Sequence, residues 1–243
     1  MEKNIQKILN IETSGKNLSL ALASFSLERN AFNLKADCTL EVGHRHSSIL
    51  KESCEFLLEK CSWNKKEITH LGVSTGPGSF TGLRVGIAFA RALAQSLKIP
   101  LIGIPAFEIL AKAVSLKPYP KLILIDTIGN ELFAGLFKNG SPSPQEPYKI
   151  FSLPELYKKM EKMPKMIVMG EGFLRHEKEI KSHLRERVLA IQKEEHFPQA
   201  KFLAECVVEK IKKSRVSNFS WKKVVPFYLR PPLAVERLTE IMH

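Results

Sequence analysis

Cysteine is scarce in this chain: Cys38, Cys54, Cys61 and Cys206 are the only thiols in 243 residues, with no C-x-x-C pair and no zinc-finger spacing. That leaves no basis for a disulfide framework or a structural zinc site. Cys54 and Cys61 lie seven apart on an expected helix and read as small buried hydrophobes. No H-x-x-x-H or H-E-x-x-H pair occurs, and the i, i+2 spacing of His44 and His46 diverges on a helix, so no metal site is expected. No apolar run approaches the ~20 residues of a membrane helix. Lys7 and Glu12 interrupt the opening MEKNIQKILNIETS, so it does not read as a secretory signal. A cytoplasmic protein without membrane association is the expectation. Acidic residues are outnumbered, 25 against 37 Lys and Arg, for a net charge of +12. Such a field attracts polyanions, RNA foremost, or reflects a lysine-rich surface. The hydrophobic fraction of 44% and charged fraction of 26% are those of an ordinary globular protein.

What is present is a repeat. IETSGKNLSLAL near the start returns as IDTIGNELFAGL, with Ile11 matching Ile125, Thr13 matching Thr127, Gly15 matching Gly129 and Leu18 matching Leu132, at a constant spacing of 114 residues. Glu12 meets Asp126 in the same register. Each copy reads as a strand, an acid-Thr-x-Gly turn and a second strand. Strands are expected near Ile8 to Ile11, Leu18 to Ala23 and Ala36 to Val42. A helix is expected from about Ser47, with Leu50, Cys54, Leu57 and Cys61 on one face. HLGVSTGPGSFTGLRVGIAFARALAQSLKIPLIGI then reads as strand, Gly/Pro turn, long helix and strand, a βαβ unit. After the second hairpin come a Pro/Ser-rich loop, NGSPSPQEP, a helix over Pro154 to Met160 and a strand at Met166 to Met169. Helices near Leu174 to His183 and Ala200 to Lys213 follow. The pattern is two α/β subdomains of related design: an N-terminal one over 1–104, a C-terminal one over 105–217, and a terminal segment, 218–243, carrying VPFYLR. A cleft between them could be faced by both acidic turns.

TGPGSFTGLR (Thr75 to Arg84) is the densest motif. Gly76, Gly78 and Gly82 free the backbone, Ser79 or Thr81 can cap the following helix, and Arg84 lies in its first turn. With Glu12, Thr13 and Asp126 this makes a possible anion or nucleotide site; the plain alternative is a tight turn that needs small residues. Leu83-Arg84 stands where a P-loop would place Gly-Lys-Ser/Thr, and the glycines lie too late in the chain for a dinucleotide fingerprint. Gly72-Val-Ser74-Thr-Gly76 satisfies the hydrolase elbow pattern, with Asp126 and His176, His183 or His196 following in order, although the helix starts too late after Ser74.

The helix of roughly Thr81 to Leu97 is apolar around most of its circumference, including Phe89 and Leu93. Such a helix is covered on both sides, by its own chain or by a partner. Gly82, Gly86, Ala90 and Ala94 form a stripe along which another helix could approach, joined by the Leu50/Cys54/Leu57/Cys61 helix.

Nearly end to end, through ILNIETS, HRHSSIL, TGPGSFTGLRVGIAFARALA, IGIPAFEILA, ILIDTIGNELFAGLF and VPFYLR, the chain resembles the TsaB (YeaZ) family of the actin and sugar-kinase superfamily. The resemblance implies two duplicated actin/ribonuclease-H-like subdomains, each a mixed sheet with flanking helices. It also implies a role in making N6-threonylcarbamoyladenosine in tRNA, as a non-catalytic subunit with no cofactor, catalytic residue or metal of its own. The implied partners are the transferase TsaD, which carries the metal-binding histidines, and the ATPase TsaE; tRNA contact through the complex and a homodimer when alone go with them. Pairing through the first-subdomain helices would use Leu50, Cys54, Leu57, Cys61, Gly82, Gly86, Phe89, Ala90, Leu93 and Ala94. The family's first acidic turn usually holds Asp, where this chain has Glu12, which would misplace a phosphate-linked metal. Its former description as a glycoprotease keeps a Ser74 hydrolase as the alternative, beside a nucleotide-binding enzyme using Glu12 and Asp126.

Overall fold

A computed structural model of the chain describes residues 5–43, 45–127, 131–141, 143–161, 163–214 and 219–229. His44, Gly129 and the last residue of VPFYLR lie outside them.

The first half forms a five-stranded sheet. Strands β1 (Ile5–Glu12), β2 (Asn17–Ser26) and β3 (Ala31–Glu41) make an antiparallel meander, and helix α1 (His46–Lys60) follows. Strand β4 (His70–Gly76) pairs parallel to β1. Helix α2 (Phe80–Leu97) then crosses to β5 (Leu101–Pro105), parallel to β4, which completes the order β3-β2-β1-β4-β5. Helix α3 (Ala106–Ala113) leads into the second half: β6 (Lys121–Asp126), β7 (Glu131–Phe137), β8 (Lys149–Ser152), α4 (Leu153–Met160), β9 (Met166–Met169), α5 (Glu171–Arg175), α6 (Glu177–Leu184), β10 (Val188–Leu189) and α7 (Ala200–Lys213). Its sheet order, read from β8, is β8-β7-β6-β9-β10. Both sheets therefore share one topology, a three-stranded antiparallel meander followed by two parallel strands. The repeated hairpin is the start of a duplicated actin/ribonuclease-H-like unit.

Local chemistry explains the element ends. The Ser79 hydroxyl accepts from the Gly82 N–H (3.2 Å) and caps α2. At the other end Lys98 turns left-handed (φ 56°) and Ile99 N–H donates to Ala94 O (3.1 Å). Helix α4 opens with a Ser152/Glu155 capping box.

The inner strands of sheet one are buried on both faces, as the near-continuous apolar run of β2 requires, while the outer strand β3 is largely exposed. Helices α1 and α2 cover one face through Leu50, Cys54, Leu57, Ile87, Ala90 and Ala94. Ile8, Phe25, Ile102 and Ile104 on the other face meet Leu203, Val207 and Ile211 of α7. Helix α7 falls in the stretch the sequence assigns to the second subdomain, but its apolar stripe closes the core of the first. Helix α3 is buried between the halves: Phe107 and Leu110 join Ile123, Ile125 and Met169 of sheet two, while Ile109 packs with α7. The expected helix near Leu174 to His183 is two helices, α5 and α6, meeting at His176.

Candidate functional site

The two conspicuous turns of the sequence meet. Ser79 N–H donates to Ser14 O (2.6 Å), and Thr13 Oγ1 donates to Gly82 O (2.8 Å). Gly78 and Gly82 lie against the backbone oxygens of Ser14 and Thr13, and Gly86 against the Thr13 hydroxyl, so close that no Cβ fits at any of the three. The glycines are required by this approach of chain to chain. The cradle that could hold an anion is filled by the chain's own first turn.

The proposed anion-site residues divide accordingly. Glu12, Thr13, Gly76, Gly78 and Ser79 come together, but Thr81 and Arg84 point outward, and Arg84 stacks on the Phe80 ring (3.8 Å). Asp126 takes both bonds from Arg175 (2.8 and 3.0 Å) and accepts from Thr127 N–H. Glu12 is 1% exposed; one carboxyl oxygen accepts from Ser14 N–H and the other has no hydrogen-bond partner. Burial raises its pKa against the opposing help of the Ser14 and Ser74 hydroxyls, and Glu171 adds repulsion. Burial raises Glu171 as well, with Asp126 adding to it while Lys16 opposes. Both acidic turns thus converge on Glu171, a residue the sequence reading passed over. Its signal is the Gly170-Glu171-Gly172 turn after β9, which stands where the Gly-rich turn stands after β4. The space between Ser14, Gly15, Gly78, Ile125, Glu171 and His196 measures about 10 Å³, room for a single water and not for a nucleotide. No cluster of three His, Cys, Asp or Glu side chains suited to a metal occurs among the described residues.

A Ser74 nucleophile does not fit this geometry. Its side chain is fully buried in β4, whereas an elbow serine stands exposed on a strand-to-helix turn. The histidines are engaged elsewhere. His196 accepts from Gly170 N–H (3.2 Å) and stacks on Phe173, His183 stacks on Tyr157, and His176 lies 3.7 Å from Glu179.

The helical surface needs a correction of facing. Leu50, Cys54 and Leu57 are 2 to 5% exposed and belong to the core of sheet one. Gly82 and Gly86 face Thr13, and Ala90 and Ala94 are fully buried. The small-residue stripe is therefore where α2 settles onto its own sheet, not where another molecule approaches. Phe89, Leu93 and Cys61 remain half-buried at the edge. The outward surface is a different set: Ala88 and Ala92 exposed, Val85 half-buried, and on the adjoining α1 Ile49 half-buried beside Phe56, which is 58% exposed. α1 and α2 pack against each other, so the outward sides of both helices expose apolar side chains, and Lys60 lies over the Phe56 ring (5.2 Å).

Comparison with known proteins bears on this geometry. Residues 40–142 match the family model of TsaD, tRNA N6-adenosine threonylcarbamoyltransferase. The tRNA threonylcarbamoyladenosine biosynthesis protein TsaB of Buchnera aphidicola subsp. Schizaphis graminum is 29% identical over 221 residues, covering 87% of this chain and 98% of that protein. TsaB of Bacillus subtilis is 30% identical over 137 residues, or 55% of this chain and 56% of that one. The structure of YeaZ from Pseudomonas aeruginosa superposes with a TM-score of 0.70 at 18% identity, covering 92% of this chain and all of that one. The duplicated fold is that of YeaZ, and over most of its length the sequence is similar to the TsaB proteins of tRNA threonylcarbamoyladenosine biosynthesis.

Proposed function

We propose that this chain is a non-catalytic subunit of the cytoplasmic machinery that makes N6-threonylcarbamoyladenosine in tRNA, and that it binds and activates a TsaD-type transferase. The observation that carries the reading is that the packed pair α1 and α2 leaves Phe56, Ala88 and Ala92 exposed, with Ile49 and Val85 half-buried. Ala88 and Ala92 allow a partner's backbone to come near, and Phe56 offers an aromatic anchor of the kind that dominates interfaces. The groups able to do chemistry support the same reading: Ser74 is buried, Asp126 is paired with Arg175, and the Glu12 turn is packed against Gly78 and Gly82. TsaE joins as the third protein, the free chain uses the same surface to form a homodimer, and the net charge of +12 steers the complex toward tRNA.

Ala88→Glu places a charge at the centre of the contact without touching the core, and should abolish capture of this chain by TsaD while its melting temperature is kept. Phe56→Ser should weaken capture by at least about tenfold. Co-expression with TsaD and TsaE should restore modified adenosine with the wild type and not with Ala88→Glu. Undiminished capture by both variants would refute the assignment of the surface.

A further inference from the structure

At the end of β6 remote from Asp126, a cavity of about 520 Å³ opens between α3, α7 and the turn after β7. Its size suits a small metabolite. Lys112, Lys121, Lys210 and Lys213 line it, with Glu108 and Ser115. Lys112 is neutralised within the protein by Glu209 (2.5 Å) and Glu205 (3.4 Å). Lys210 donates to Gly103 O (3.0 Å). Glu108 makes no direct ion pair among the described residues, and its burial raises its pKa against the fields of Lys210 and Lys213, with Glu209 adding to the rise. Positive charge is therefore in excess on these walls.

The floor is Lys121, only 1% exposed. Its ammonium donates to Tyr119 O (3.0 Å) and, at the limit of contact, to Lys117 O (3.5 Å), and among the described residues no carboxylate pairs with it. An ammonium has three donors, so one is left over. The duplication makes the omission informative. Lys121 stands at the position of Lys7 in the first copy, 114 residues earlier. Lys7 has its counter-charge: Glu67 lies 2.6 Å away and the Trp63 ring lies beneath it (4.9 Å). In the second copy the equivalent charge is taken out of water with only carbonyl partners, and a polar cavity opens beside it. Burying an unpaired charge is costly, and a structure tolerates it where an anion can arrive.

We propose that this cavity binds a compact dianion of the phosphate-ester class, whose oxygens take the spare donor of Lys121, the Ser115 hydroxyl and the ammonium of Lys213 at the rim. The site is separate from the α1–α2 surface and does not depend on its role.

The test is calorimetry and thermal melting of the full chain with glycerol 3-phosphate and with inorganic phosphate, against sodium chloride at matched ionic strength and against malonate. Saturable binding of the phosphate ester with a raised melting temperature is expected, with chloride inert and malonate weaker. Lys121→Met, close in volume, and Lys213→Glu, at an exposed position, should each lower affinity at least about tenfold, as for one charge-assisted hydrogen bond. Should Lys121→Met fail to fold, Lys213→Glu and Ser115→Ala decide. Absence of binding, an equal effect of chloride, preference for malonate, or unchanged affinity in Lys213→Glu would each overturn the proposal.

Discussion

Thr13 is the residue on which the first half turns. Its hydroxyl donates to Gly82 O, and its atoms fill the space that side chains at 82 and 86 would need. Gly86→Ala must push Thr13 or α2 aside, and overpacking of this kind costs about 1–3 kcal/mol, measurable by urea unfolding. Its neighbour Glu12 governs a pH effect. Burial raises the folded-state pKa of Glu12 above the unfolded value, so the folded chain holds a proton that the unfolded chain releases first. Stability is then full below the ordinary carboxylate range and falls as pH rises from there through the folded pKa. Glu12→Gln removes this titration. It should stabilise the protein relative to wild type at about pH 8 and leave it nearly unchanged at about pH 4, read from melting temperatures across that range.

Among the elements, the terminal segment 219–229 acts as a strap across both halves. Val224 enters the core of sheet one, Phe227 N–H donates to Thr75 O (2.8 Å), the Phe227 ring meets Tyr148 (5.8 Å), and Tyr228 meets Phe80 (5.7 Å). The double variant Val224→Ala/Phe227→Ala should lose about 3 kcal/mol and melt about 6–12 °C lower. Sequence periodicity revealed β1, β2, β4 to β7, β9, α1, α2, α4 and α7, each an apolar stretch bounded by turn residues, and of β3 (Ala31–Glu41) it revealed the second half. It missed β8 and β10, four and two residues long, because so short a run has no period. It missed α3, whose AFEILAKA continues the apolar β5 directly and has no polar break at its start. The facing of α2 was illegible for the opposite reason. A helix apolar on nearly every side does not say which side the sheet takes, and the deciding residue, Thr13, lies almost 70 positions away in sequence. That the first acidic turn and the Gly-rich turn share a site could be anticipated from the anion-binding chemistry both carry; their close interlock could not, because it depends on backbone oxygens.

For the molecule as a whole, duplication sets the plan and exchange of helices binds the copies together. Helix α3 follows the first sheet but helps form the core of the second, and α7 follows the second sheet and closes the first. A fragment of residues 1–113 would leave Ile8, Phe25, Ile102 and Ile104 without α7. It should be aggregation-prone and bind a hydrophobic dye, and adding a chain of residues 114–243 should restore a cooperative melt. The halves are thus structural repeats without being independent folding units. Synthesis runs from the amino end, so the opening sheet leaves the ribosome with one face bare and waits for roughly another hundred residues before its cover arrives. Throughout that interval the nascent polypeptide presents a greasy plate to the cell, and a chaperone shielding it would be occupied until α7 has been made.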